Sequence, residues 1–205
     1  MKSIKPVRAL AGIVILLFAA GASAQKISWA DSYRLEAAAK FAEAQAAIEP
    51  LATKEPVNEF ALMRSAWLLY LQGNYPESEK RYLKAAEFNP RSLDANLGVM
   101  LPQMAQYRWL DAMKAGGKVI RESAWQYTAH VRLMVCEEGM SRWADLAKHA
   151  AEVSARYPSD ATVLVYWARA EAALHNTQKA KALYNQVLER FPIHAEASTF
   201  IKNNP

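Results

Sequence analysis

Four prolines, Pro56, Pro90, Pro158 and Pro192, keep one interval: the first two and the last two are equally far apart, the middle gap is twice as long, and Ala124 stands in the one slot that lacks the ring. A spacing kept over so much of a chain means one structural unit repeated and stacked, not a single irregular core. The unit is easiest to read at 60–90. Residues 60–72 are apolar almost all round, Gly73-Asn74-Tyr75-Pro76 punctuates them, an amphipathic stretch runs to Phe88, and Asn89-Pro90 stops it. That pattern is two antiparallel helices joined by a tight turn. From Ser28 to Ile201 the text is rich in alanine and leucine, with almost no β-branched alternation, so the whole stretch reads as helical.

Residues 1–24 stand apart from this pattern. Lys2, Lys5 and Arg8 precede an apolar run at 9–20, and Ala22-Ser23-Ala24 offers a small-residue cleavage site, the layout of a secretory signal peptide. The run is shorter than the roughly 20 residues a spanning helix needs. No cysteine follows it to take a lipid, so the expected product is a soluble exported protein, periplasmic or secreted, without a membrane span after cleavage. Cleavage would remove three of the 25 basic residues and none of the 20 acidic ones, lowering the net charge from +5 to +2. That balance, with no long basic run, argues against nucleic acid as a partner. The single Cys136 has no intramolecular disulfide partner, so the fold must rest on burial, and the residue reads as core and not as a reactive thiol.

The period and the residues that carry it resemble the tetratricopeptide repeat, whose unit is about 34 residues long. In the unit at 59–92, Ala66 sits at the small-residue slot of the first helix, Gly73 and Tyr75 form the turn, Tyr82 and Ala85 are the large and small packing residues of the second helix, and Pro90 ends it. Two backbones approach closely at the alanines while Tyr82 fills the wedge between them. The resemblance covers essentially all of the chain after the signal peptide. It implies an all-α, right-handed superhelical solenoid of about five helix pairs, at about 25–58, 59–92, 93–124, 125–160 and 161–194, plus a closing helix at 195–205. The third and fourth units match loosely. Pro102 is expected to kink or shorten its helix, Trp109 to arrive two residues late for a regular turn, Gly116-Gly117 to weaken the second helix, and 139–142 to form a longer turn than usual. In the closing helix, Ala195, Ala197, Phe200 and Ile201 are expected to cover the last pair, with Glu196, Ser198 and Lys202 facing water.

Catalytic patterns are missing from the text. His130, His149, His175 and His194 show no metal-ligand spacing, and Asp145 and His149 read as an exposed helix-face contact. There is no CxxC, haem site, phosphate loop or nucleophile elbow, so the expectation is a non-enzyme with no metal and no cofactor. Glu77, Glu79, Lys80, Arg81 and Lys84 read as a solvated face.

What packing leaves over is an aromatic stripe on the first helices. Phe60, Met63, Trp67 and Tyr70 lie three, four and three apart beside a packing stripe of Leu62, Ala66 and Leu69, and Trp29 and Tyr33 occupy the matching positions one unit earlier. The resemblance implies that the first helices line a concave groove. These six residues, with Arg169 as a cation further along, are the candidate partner-binding set; the competing reading places the stripe in the core between units. The carboxylate-clamp type of the family, which grips chaperone termini with Lys and Asn, does not fit, because those slots hold Trp29, Tyr33, Met63 and Trp67. The expected function is an adaptor or scaffold of the bacterial envelope that binds a protein segment in its groove. The alternative is a self-assembling structural protein forming homo-oligomers, or an accessory subunit of an envelope secretion or enzyme complex.

Overall fold

The structure, a computed structural model, describes residues 28–205; the signal peptide expected at 1–24 lies outside the described residues. All regular structure among the described residues is α-helical. The chain forms an all-α solenoid of successive pairs. These are α1 (Trp29–Ala37) with the broken helix α2 (Phe41–Ala46) and α3 (Glu49–Ala52), α4 (Glu59–Leu71) with α5 (Tyr75–Phe88), α6 (Leu93–Ala105) with α7 (Trp109–Glu122), α8 (Tyr127–Gly139) with α9 (Trp143–Arg156), and α10 (Ala161–Ala173) with α11 (Thr177–Arg190); α12 (Ala195–Asn203) follows. No helix among the described residues is long and apolar enough to cross a membrane.

Local signals set this register. Asn58, Ser92, Gln126, Asp160 and His194 keep the proline interval, each precedes a first helix, and each accepts a hydrogen bond from the backbone N–H three residues on, at 2.7 to 3.2 Å. One orphan donor of each helix start is thereby satisfied. The turns keep the same beat. Ala39, Gly73, Tyr107, Ser141 and His175, again one period apart, all have left-handed φ values, between 56° and 77°. Only Gly73 among them lacks the Cβ that makes this conformation costly.

Several expectations for the third and fourth units are corrected by this register. Trp109 opens α7 in phase, one full period after Tyr75 opens α5, because the preceding turn uses Tyr107 where the second unit uses Gly73. The 140–142 turn is no longer than those at 72–74, 106–108 and 174–176. Gly139 belongs to the end of α8, not to the turn, and its small size serves the Trp109 indole: an added Cβ would lie 2.6 Å from Cε2 of that ring. Pro102 is buried inside α6, yet that helix keeps 13 residues, as do α4 and α10. Across the helix interface, Arg132 of α8 donates to the Leu97 carbonyl at 2.6 Å, next to the Gly98 carbonyl that the proline ring leaves without its helical donor.

Packing follows the repeat. Tyr82 is buried and its ring closes on Gly98, where an added Cβ would lie 2.1 Å from Cε1. Cys136 is fully buried in the same cluster as Ala66, Tyr82, Met100 and Val119. At the C-terminal end Ala197 is buried and Phe200 lies 4.7 Å from the Tyr184 ring, so α12 covers α11. Ala195 is exposed, and Glu196 turns inward to accept hydrogen bonds from Arg169 at 2.6 Å and from the Tyr184 hydroxyl at 2.6 Å, against the expectation that it faces water.

The bend of the array places the site. Consecutive first helices α4, α6, α8 and α10 touch one another directly, whereas consecutive second helices make no comparable contact. A two-layer stack curves toward the layer whose members sit closer together, so the first helices form the inner wall.

Candidate concave binding groove

Three rungs at one sequence interval join α1 to α4 on this wall. The Trp29 and Phe60 rings lie 5.0 Å apart. The Arg64 guanidinium sits 4.0 Å above the Tyr33 ring, a cation–π geometry. The Trp67 indole N–H donates to Glu36 Oε1 at 2.6 Å. Trp67 then stacks on Tyr70, with centroids 5.6 Å apart and planes 22° from parallel.

Two of the candidate side chains remain open. Phe60 is 51% exposed and Tyr33 48% exposed, which leaves half of each ring for a ligand. Trp29, Met63, Trp67 and Tyr70 are half-buried; Met63 packs into the neighbouring core clusters, and Trp67 contributes to the cores of both the first and the third units. Trp67 is therefore not surplus to packing, and the stripe divides into an inner part that supports the wall and an outer pair, Tyr33 and Phe60, that meets solvent.

Glu36 is the electrostatic centre of this end. Besides Trp67, its carboxylate pairs with the buried Arg64, whose Nη2 also donates to Ser32 Oγ at 3.1 Å. Burial pushes the Glu36 pKa up, but the hydrogen bonds from Trp67 and Arg64 outweigh it and hold the carboxyl below its ordinary range. The charge is thus neutralised in place.

Arg169 occupies the position three units beyond Trp67, and its rung repeats the one between Glu36 and Trp67: it reaches back to Glu138 at 3.3 Å and forward to Glu196 at 2.6 Å. The hydrogen bond to Glu196 is the largest cause of its raised pKa. Arg169 is therefore locked between two carboxylates and is not a lone groove cation. Between the two ends, stepping one period at a time from Met63, Trp67 and Tyr70 gives Leu97, Leu101 and Met104, then Val131 and Val135. Reasoning on one helix at a time misses these residues, although the period alone points to them. All but the buried Leu97 are half-buried, so the middle of the wall is aliphatic.

Lys80 and Lys84 are exposed as expected on α5, whereas Glu79 and Arg81 of the same set are not. Arg81 turns into the interface and holds Glu49 at 2.7 Å and Ser65 Oγ at 2.6 Å, while the buried Glu79 accepts from Gln103 at 2.8 Å and Arg108 at 2.5 Å. Among the described residues, no cluster of three or more His, Cys, Asp or Glu side chains is placed to hold a metal ion.

No family model matches the sequence, and no curated protein matches it. Solved structures do match. A MamA structure from Desulfovibrio magneticus superimposes with a TM-score of 0.71 at 13% identity, covering 81% of this chain and 94% of that one. A tetratricopeptide repeat protein from Parabacteroides merdae gives 0.74 at 12% identity, covering 85% and 69%. YrrB, described as a tetratricopeptide-repeat protein with an unusual peptide-binding site, gives 0.69 at 14% identity, covering 83% and 88%. The helix-pair solenoid of this chain is the tetratricopeptide-repeat fold.

Proposed function

We propose that this protein is a non-enzymatic adaptor of the bacterial envelope that holds an extended segment of a partner protein in its concave groove. The observation that carries this reading is the pair of half-open rings, Tyr33 and Phe60, on an inner wall where Glu36 is paired with Arg64 and Arg169 with Glu138 and Glu196. Recognition then works by shape and apolar burial: the partner contributes aromatic or aliphatic side chains that cover the open halves of these rings and run along the aliphatic middle. The peptide-binding site named for YrrB, a structure of the same fold, supports the same reading. Residues 1–24, with their basic start, apolar run and small-residue cleavage site, support an exported location.

Fully burying such a side chain stabilises by about 1.5 to 3 kcal/mol, so covering two half-open rings contributes about 2 kcal/mol in all. Selection of a displayed random-peptide library on the protein should therefore return peptides with aromatic or branched apolar anchors. Their affinity should fall about 30-fold in the Tyr33→Ala, Phe60→Ala double variant. Peptides that bind both proteins equally well would refute the groove.

A further inference from the structure

The fourth helix pair contains a chain of polar contacts that the groove does not use. His130 of α8 places Nε2 2.9 Å from the Ala124 carbonyl oxygen and Nδ1 2.8 Å from Nε2 of His149 on α9. The Nδ1 atom of His149 lies 2.9 Å from Oε2 of Glu137, back on α8. The sequence pairs His149 with Asp145 on an exposed face; instead Asp145 pairs with Arg142 at 2.7 Å, and the imidazole turns inward. His130 and Glu137 are buried.

The protons in this chain can be counted. A carbonyl oxygen only accepts, so His130 Nε2 must carry a hydrogen. One hydrogen is needed between the two imidazoles and one between His149 and the carboxylate. The intact chain thus holds three protons, one more than two neutral imidazoles supply, and that extra proton leaves an imidazolium beside a carboxylate with no net charge. Without it, one contact becomes a lone pair facing a lone pair inside the protein, which is repulsive and leaves a polar atom unsatisfied.

Further charges bear on where the proton resides. The groups whose charge reaches His130 are His149 and Glu152 from α9 and Glu137 from its own helix; Ala124 contributes a carbonyl and Trp125 an aromatic ring 5.5 Å away. Burial is the largest cause that pushes the His130 pKa down. α8 and α9 touch less extensively than the two helices of the second, third and fifth pairs, and the buried apolar residues of α9 cluster with Met134 of α8 as well as with Val163 and Ala170 of α10.

We propose that Glu137, His149 and His130 form a proton-dependent latch that holds α8 against α9. α8 carries Val131, Val135 and Glu138 of the inner wall, so loosening the latch shifts that part of the groove. The direction follows from linkage. Above about pH 6.5 an unfolded histidine is mostly neutral, whereas the folded latch retains its proton, so the folded state binds more protons and its stability falls as pH rises. The slope reaches up to tenfold in the folding equilibrium constant per pH unit until the latch releases its proton. Below that pH the lowered His130 pKa reverses the sign, because the unfolded imidazole takes up a proton that the folded one refuses.

Two measurements on the full chain after signal removal test the latch. Imidazole nitrogen NMR at pH 7.5, where a free histidine is about nine-tenths neutral, should show one ring of the His130–His149 pair protonated on both nitrogens. Two singly protonated rings would overturn the proposal. In Glu137→Gln the amide donates to His149 Nδ1, and two neutral imidazoles then complete every contact. Denaturant midpoints of this variant should not fall between pH 7 and 8 while those of the parent do; equal slopes would overturn the proposal, and the NMR result stands independently if the variant does not fold.

Discussion

Gly116 and Gly117 are neighbours inside α7, and the structure assigns them opposite roles. In a helix interior, glycine is less favourable than alanine by about 1 kcal/mol. A Cβ built on Gly117 meets only Arg121 Nη1, at 3.7 Å, the far end of a flexible side chain. Gly117→Ala should therefore recover nearly the full propensity difference, about 1 kcal/mol, and raise the melting temperature by about 2 to 4 °C for an array of this size. A Cβ on Gly116 would stand 2.9 Å from both Leu133 Cδ2 and Met100 Cε. Overpacking of this kind costs about 1 to 3 kcal/mol, so even after the propensity gain Gly116→Ala should lose about 1 kcal/mol. Thermal and urea melts followed by circular dichroism at 222 nm read both values. A Gly117→Ala variant no more stable than the parent, or a Gly116→Ala variant that is stabilised, would refute the close approach of α7 to α6 and α8 at that point.

Other expectations follow from the same geometry. His175 is exposed in a left-handed turn at φ 63°; His175→Gly relieves about 1 to 2 kcal/mol of backbone strain against about 0.4 to 1 kcal/mol of added unfolded-state freedom, so the melting temperature should rise by about 2 °C. Burial first, and Glu137 second, push the Cys136 thiol up to about 12, so a maleimide at pH 8 should leave the folded protein unlabelled and react promptly in urea. Glu36, Glu49, Glu171 and Glu196 all have folded pKa values below their ordinary range. Their contribution is complete above about pH 4.3 and is lost as pH falls through the folded values, so melts should fall steeply between pH 4 and 2, and less steeply in Glu196→Gln.

The repeat was legible in the sequence because its markers, the prolines and the Gly73 turn, are residues with few conformational alternatives. The third and fourth units were misread for a physical reason: Tyr107 and Ser141 take the left-handed turn without glycine, while the real glycine nearby, Gly139, makes room for an indole from another helix. Neither fact is visible within one helix. Trp67 shows the same limit. Its spacing with Phe60 and Tyr70 marked a stripe correctly, but its bond to Glu36, one helix pair earlier, appears only once α1 and α4 are side by side. The rung interval, once known, recovers Glu138–Arg169 as a second instance. The inward turn of Arg81 and His149 had no local signal, since a charge on an amphipathic helix is ordinarily solvated and only a partner from another element makes its burial favourable.

The groove is tested most directly by site-specific photo-crosslinking in cells, with a benzophenone amino acid at position 60 on the inner wall and, separately, at position 83, where Leu83 is exposed on α5 of the outer layer. One discrete crosslinked species is expected from position 60, weakened by the Tyr33→Ala substitution, with no such species from position 83. Equal yields from both faces, or a product from position 83 alone, would contradict the groove.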